Sequence, residues 1–197
     1  MTETMTLRER KRRAAMRRAQ EVALDLFDEH GYGNVTVEQV AAAAELSPSS
    51  IYRHFGTKEQ LILWDDYDPQ ILDKMTAKLA EHPPVEAMYR AIQEVYAEIH
   101  ERDERLIRLR TRYTIEEPSV QASVALQTDQ LAQFVASLLA VHTGRADDDL
   151  QVRVIAGALV GALSASIRQW HLTGQAQPFD EVMDDTFAVL RRGLTLQ

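Results

Sequence analysis

The chain is 197 residues long, 45% hydrophobic and 26% charged, with a net charge of −8 and no cysteine. That length supplies one or two domains with ample chain for a core, and the missing thiols exclude disulfides and thiolate metal sites and suit a reducing cytoplasm. The first thirteen residues carry charge with no apolar run behind them, so no secretory signal is expected, and the longest weakly polar run, residues 154–167, is too short to span a bilayer. With 8 Gly, 6 Pro and no alternating apolar–polar runs, the whole chain reads as helical.

The acidic balance is uneven. Residues 1–60 hold 9 Lys/Arg against 9 Asp/Glu, whereas residues 61–197 hold 13 against 21. Within residues 1–20 there are 7 basic and 2 acidic side chains. A basic start in front of an acidic remainder suits an N-terminal nucleic-acid reader carrying a regulatory body.

In chain order, residues 1–7 are expected to be disordered. The run Arg8, Arg10, Lys11, Arg12, Arg13, Arg17 and Arg18 follows. It is either a solvated helix start or, as its neighbours favour, a basic arm lying on phosphates, with Arg12 and Arg13 as contacts. Met16, Ala19, Val22, Ala23, Leu26 and Phe27 keep a helical period, and Gly31 ends that helix. Thr36 with Gln39 three residues on is a capping box; Val37, Val40 and Ala41 continue one face. Glu45-Leu46 breaks the pattern. Ser47 offers an N-cap oxygen with Pro48 at the first helical position, and Ile51 and Phe55 share a core-facing side. Thr57 and Gln60 suggest a second capping box. Two short helices joined by a turn of about three to four residues form a helix-turn-helix, whose second helix lies in the DNA major groove.

The next helix is expected from Lys58 to about Leu79, kinked or broken near Pro69. The alternative is a helix ending near Tyr67 and another starting at Pro69. Further helices are expected over about 85–101, 104–114, 118–142, 148–173 and 180–193, about nine in all. The helix over 148–173 is apolar nearly all round, with a run of small residues (Ala156, Gly157, Ala158, Gly161, Ala162), and so must be buried on every side. Together with the last helix it implies a two-fold partner and a four-helix bundle across the dimer axis. The expected interface residues are Val152, Leu159, Leu163, Phe179, Met183, Phe187 and Leu190.

Ala23-Leu24-Asp25-Leu26-Phe27, Gly31-Tyr32, Thr36 to Ala41, Ser47, Ile51 to Phe55 and Thr57 to Leu61 resemble the N-terminal head of the tetracycline-repressor (TetR) family of bacterial regulators. The resemblance covers roughly residues 15–64. It implies an all-α homodimer with a three-helix head over residues 1–60 and a helical ligand-binding and dimerisation bundle over residues 61–197. It also implies a cytoplasmic repressor of nearby genes, released from a palindromic operator when a small molecule enters the body. By the same resemblance, Thr36, Ser47, Tyr52, His54 and Lys58 would hold phosphates, while Pro48, Ser49, Ser50 and Arg53 would face bases. One position departs: the family usually has glycine in the turn where this chain has Glu45, so a strained backbone or an altered turn is expected there.

The remainder resembles, more faintly, the branch of the family with acyl-CoA-type ligand domains. That would favour a long apolar cavity with an arginine of the 105–112 stretch near an anionic head group. The expected pocket residues are Tyr67, Met88, Tyr96, Arg112, Tyr113, Phe134, Arg168 and Trp170, a set of amphipathic aromatics with polar handles. No HExxH, phosphate-loop or GxSxG motif is present, so neither an enzyme, a cofactor nor a metal is expected. The competing class is an architectural DNA-binding protein without a small ligand, which would use the same head but coat DNA without discrete sites.

Overall fold

The structure, a computed structural model, describes residues 6–98 and 101–193. Ten α-helices follow one another with no strand among the described residues: α1 Leu7–His30, α2 Val37–Ala43, α3 Pro48–Phe55, α4 Lys58–Leu63, α5 Asp68–Lys78, α6 Pro84–Tyr96, α7 Glu101–Glu116, α8 Pro118–Thr143, α9 Leu150–Leu172 and α10 Phe179–Arg191. Residues 1–5, most of the segment expected to be disordered, lie outside the described residues. The chain divides into two compact units. A head unit runs to Trp64 and also takes in Arg105–Val120; a body unit comprises Asp65–Glu104 and the chain from Gln121 onward. The boundary read from sequence at residue 60 therefore falls a few residues later, and most of α7 packs with the head rather than with its sequence neighbours.

The head begins earlier than expected. Thr6 and Glu9 form a reciprocal capping box, so α1 starts at Leu7 and the basic run is helical from its first residue. Met16, Ala19, Ala23, Leu24 and Phe27 give α1 its buried stripe. Gln20 sits on the same stripe, and its amide donates to the carbonyls of Leu61, Ile62 and Trp64 at 3.0, 3.3 and 2.6 Å. Those are carbonyls that the end of a helix leaves unpaired. Gln20 thus closes α4, the α4 chain ends at Leu63, and α5 restarts only at Asp68. The second of the two readings around Pro69 is the one observed. Pro69 lies in the first turn of α5, where it interrupts nothing, and Asp65 accepts from the N–H groups of Tyr67 and Asp68 at that start.

Most of α7 is tied to α1. Arg105 pairs with Asp25 at 2.7 Å and Arg112 with Asp28 at 2.6 Å. Phe27, Tyr32 and Tyr113 form an aromatic trio with centroid separations of 5.0 to 6.3 Å. Burial pushes the Tyr32 hydroxyl up to about 12.

The body core is shared by five helices. Met75 of α5 and Leu79 at its C-cap, Met88 and Ile92 of α6, Val135 and Leu139 of α8, Val152, Leu159 and Val160 of α9, and Met183 and Phe187 of α10 pack together. Charged pairs on the outside register the helices: Lys74 and Lys78 reach Glu94, and Arg191 reaches Glu86 at 2.7 Å. Trp170 is 1% exposed and donates its indole N–H to the Gln177 carbonyl at 2.8 Å, which pins the loop between α9 and α10. By length and hydropathy α8 and α9 are each long and apolar enough to cross a membrane, a longer apolar span than the sequence reading recognised. Both nevertheless commit one face to the core they share with the three other body helices.

That commitment corrects the interface expectation. Val152, Leu159, Met183 and Phe187 are at most 3% exposed and belong to the protomer's own core. Leu163, Phe179 and Leu190 pack against the same core and are partly buried. The face of α9 left open carries Leu150, Val154, Gly157, Gly161, Ala165 and Leu172 instead. On a helix apolar all round, periodicity does not say which stripe belongs to which neighbour.

Candidate nucleic-acid interface

The reading element is built by its caps. Thr36 and Gln39 form the expected capping box on α2, with Gln39 N–H donating to Thr36 Oγ1 at 3.2 Å. At the other end of α2, the Leu46 N–H reaches the Ala41 carbonyl at 2.9 Å and the Glu45 N–H reaches that of Ala42 at 3.2 Å. This pair of bonds is a Schellman motif, which requires a left-handed residue between helix and turn. Glu45 is that residue, at φ 58°, so the strain anticipated at the glycine position is present. Ser47 then caps α3 by accepting from the Ser50 N–H at 3.2 Å, with Pro48 in the first turn. The capping box expected at Thr57 is only half formed: Thr57 accepts from Gln60 N–H at 3.4 Å, and Glu59 and Lys58 are drawn to Tyr32.

Ile51 and Phe55 bury one side of α3. The opposite side holds Ser49, Tyr52 and Arg53 exposed, with Ser50 and His54 half-buried. Ser47, Ser49 and Ser50 exchange hydroxyl hydrogen bonds at 2.9–3.0 Å, and Arg53 donates to Ser50 Oγ at 3.3 Å. These are short, reorientable donors and acceptors at the N-terminal end of the helix that would meet base edges. Burial, and then the charges of Arg12 and Arg53, hold the His54 imidazole below its usual range. The ring is therefore a neutral hydrogen-bond donor at neutral pH, and Arg12 on α1 is near enough to act on it. Thr36 is exposed beside the start of α2, and Arg13 is half-buried on α1.

Lys58 departs from the expected role. Its ammonium donates to the Tyr32 carbonyl and lies 3.9 Å from the Tyr32 ring centroid and 5.2 Å from that of Phe27. Burial lowers its pKa. Its first task is to tie α4 to the turn after α1, with only its remaining N–H groups left for a phosphate. Two pairings were not read from the sequence. Arg18 of α1 lies 3.1 Å from Glu45, and Tyr52 donates to Glu38 at 3.4 Å. The i, i+3 and i, i+4 rules do not reach such pairs, although Arg18 belongs to the basic run already noted.

The eight expected pocket residues do not converge within either unit. Arg112 and Tyr113 are head residues held by Asp28, Phe27 and Tyr32. Met88 and Trp170 are core, Tyr96 stacks on Phe179 at 4.9 Å, Tyr67 is half-buried before α5, and Phe134 and Arg168 are exposed. The body unit carries an open groove of about 480 Å³ between α9 and α10, floored by Ala162, Ala165, Ser166 and Thr186. Of the eight, only Trp170 lines it. Among the described residues no group of three His, Asp or Glu could hold a metal.

A capped helix-turn-helix on a helical body defines a DNA-binding transcription regulator. The chain belongs to the tetR family of bacterial regulatory proteins: residues 21–63 match that family's head, and residues 82–195 match the family's MftR C-terminal domain. It is 28% identical over 174 residues to the HTH-type transcriptional regulator TcmR of Streptomyces glaucescens, covering 84% of this chain and 77% of that protein. It is 22% identical over 187 residues to the mycofactocin biosynthesis transcriptional regulator MftR of Mycobacterium tuberculosis, covering 94% and 93%. Among solved structures, a TetR-family regulator from Syntrophomonas wolfei has the same fold with a TM-score of 0.63 at 20% identity, over 93% of this chain and 98% of that one. Thermus thermophilus FadR in complex with lauroyl-CoA follows at 0.54 and 20%, over 92% and 96%.

The strain at Glu45 is testable by itself. Glu45→Gly should stabilise the head by up to about 1 kcal/mol, the cost of a left-handed L-residue, less the ~0.2–1 kcal/mol of an exposed pair with Arg18. A melting temperature lowered in the variant would contradict the strain reading.

Proposed function

We propose that the protein is a homodimeric, ligand-responsive repressor that works in the bacterial cytosol on a palindromic operator. The observation that carries this is the exposed polar face of α3, presented by a fully capped turn and backed by the buried Ile51 and Phe55. On this reading Pro48, Ser49, Ser50 and Arg53 face bases. Thr36, Ser47, Tyr52, His54, Arg12, Arg13 and the free N–H groups of Lys58 take phosphates, which set register without carrying sequence information. The two-fold partner covers the open stripe of α9, Leu150 to Leu172, together with Val189 of α10.

The effector is proposed to be apolar. FadR of T. thermophilus is described with lauroyl-CoA, and another neighbour of the same fold, SmeT, with triclosan. One ligand carries a long acyl chain and the other aromatic rings; a hydrophobic portion is the chemistry those two share.

Binding-site selection from a random duplex pool, followed by footprinting, tests the DNA reading. A discrete two-fold symmetric site is expected, with half-sites about 10 base pairs, or a multiple of that, apart. Uniform protection without discrete sites would overturn it in favour of an architectural role. Tyr52→Phe should leave the melting temperature unchanged, because the ring is exposed. It should weaken the selected duplex by about 1 kcal/mol, the worth of one hydrogen bond. Equal affinity in an anisotropy titration would remove Tyr52 from the contact set.

A further inference from the structure

Two polar groups on the reading side of the head are held by the head's own carboxylates. Glu45 holds the Arg18 guanidinium at 3.1 Å, and Glu38, in the first turn of α2, accepts from the Tyr52 hydroxyl at 3.4 Å. Stability does not account for Glu45. Its side chain is 78% exposed, and an exposed ion pair adds little to stability. Its backbone sits at φ 58°, where an L-residue loses about as much as such a pair returns. A carboxylate is thus kept at a strained position that glycine fills at no cost, immediately in front of the helix that enters the groove.

Electrostatics gives that position a use. Sequence-independent DNA affinity comes almost entirely from cations replacing the counterions of phosphates. With α3 in the major groove, an exposed carboxylate in the turn before it would face the flanking phosphates at a range, about 10 Å, over which charge is not fully screened. It repels them and occupies a cation that would otherwise reach one. Base contacts at Ser49, Ser50 and Arg53 are unaffected by that penalty, since it applies to every duplex alike.

We propose that Glu45 attenuates DNA affinity: by engaging Arg18 and adding negative charge to the turn, it weakens the sequence-independent part of binding on every duplex, so that a larger share of what remains comes from base contacts. Glu38 acts in the same sense, more weakly, through Tyr52. The proposal rests on the DNA-binding reading given above and adds a regulation of that same surface.

The test uses the full-length protein, its Glu45→Gln and Arg18→Ala variants and the double variant. Each is titrated by fluorescence anisotropy against a mixed-sequence duplex and against a duplex recovered by selection with the parent protein. Salt runs from about 50 to about 200 mM. Glu45→Gln keeps the size of the side chain, so the turn is not rebuilt. It is expected to bind the mixed duplex roughly 3- to 10-fold tighter at the low-salt end, with a log–log salt slope steeper by up to about 0.9, as one added phosphate contact requires. Its ratio of selected to mixed affinity should stay where it was, because the penalty removed is common to both duplexes. On the Arg18→Ala background the gain in slope should vanish. If the parent protein binds both duplexes and Glu45→Gln leaves affinity and slope where they were, the proposal is overturned and the DNA-binding reading stands. If the parent protein binds neither duplex at any salt, both fall.

Discussion

Phe27→Ala should abolish DNA binding by unfolding the head while leaving the body helical. Phe27 is 1% exposed and is the ring on which four segments meet. It belongs to α1, it packs edge-on against Tyr32 after α1 and Tyr113 of α7, and the Lys58 ammonium of α4 lies 5.2 Å from its centroid. Removing a buried phenylalanine costs about 3–5 kcal/mol, part transfer and part cavity. The Lys58 ammonium, already partly desolvated, would lose some of its cover as well. A unit of this size has a total stability of the same order. The head should therefore lose its own cooperative transition. Amide exchange would show it: protection in α1 to α4 and in α7 from Arg105 onward should collapse together, while α6, α9 and α10 keep theirs. Loss of protection confined to the Tyr32 turn would mean that the aromatic trio is peripheral, and the assignment of α7 to the head would be weakened with it.

That assignment marks the limit of what the sequence makes legible. The α2–turn–α3 element is local, and its caps, its proline and its glycine-position residue are all encoded within about twenty residues. Thr36, Ser47 and the strain at Glu45 are read off directly for that reason. Arg112 is the opposite case. Next to Tyr113 on an amphipathic helix it has the chemistry of a ligand handle, and nothing local reveals that its partner is Asp28, more than eighty positions earlier. Lys58 was only half legible for a related reason. A lysine one residue inside a helix start suits a phosphate, but the carbonyl that accepts one of its hydrogen bonds belongs to Tyr32, across a turn. Gln20 did carry a signal. It is a polar residue on the stripe defined by Met16, Ala23 and Phe27, and such a residue needs a buried partner; the open ends of α4 supply it.

The helix α9 shows a different failure, and it leads to the second large effect. Apolar on every side, it offered no contrast from which to orient it, so the larger side chains were named as the interface, although the run of small residues beside them was noted. The structure reverses this. The large residues Leu159, Val160 and Trp170 fill the protomer, and the open side presents Gly157, Gly161 and Ala165 between Leu150 and Val154 at one end and Leu172 at the other. Within the protomer the two glycines have no purpose: a Cβ at either would meet nothing within 4 Å. Each costs about 1 kcal/mol of helix stability relative to alanine. A stripe of small residues does serve a second helix, because the separation of packed helices is set by the side chains at the crossing. Gly161→Leu separates the two settings. In an isolated protomer it should be neutral or stabilising, since leucine is the better helix former and has open space. In a dimer crossing at this point, it should drive the helices apart. The expected result is a folded monomer in sedimentation at micromolar concentration, with affinity for a two-fold operator lower by about 10²-fold or more, because the second head no longer binds at high effective concentration. A variant that remains dimeric would place the two-fold axis elsewhere, and the exposed Leu126, Phe134 and Val141 of α8 would then be the apolar surface to examine.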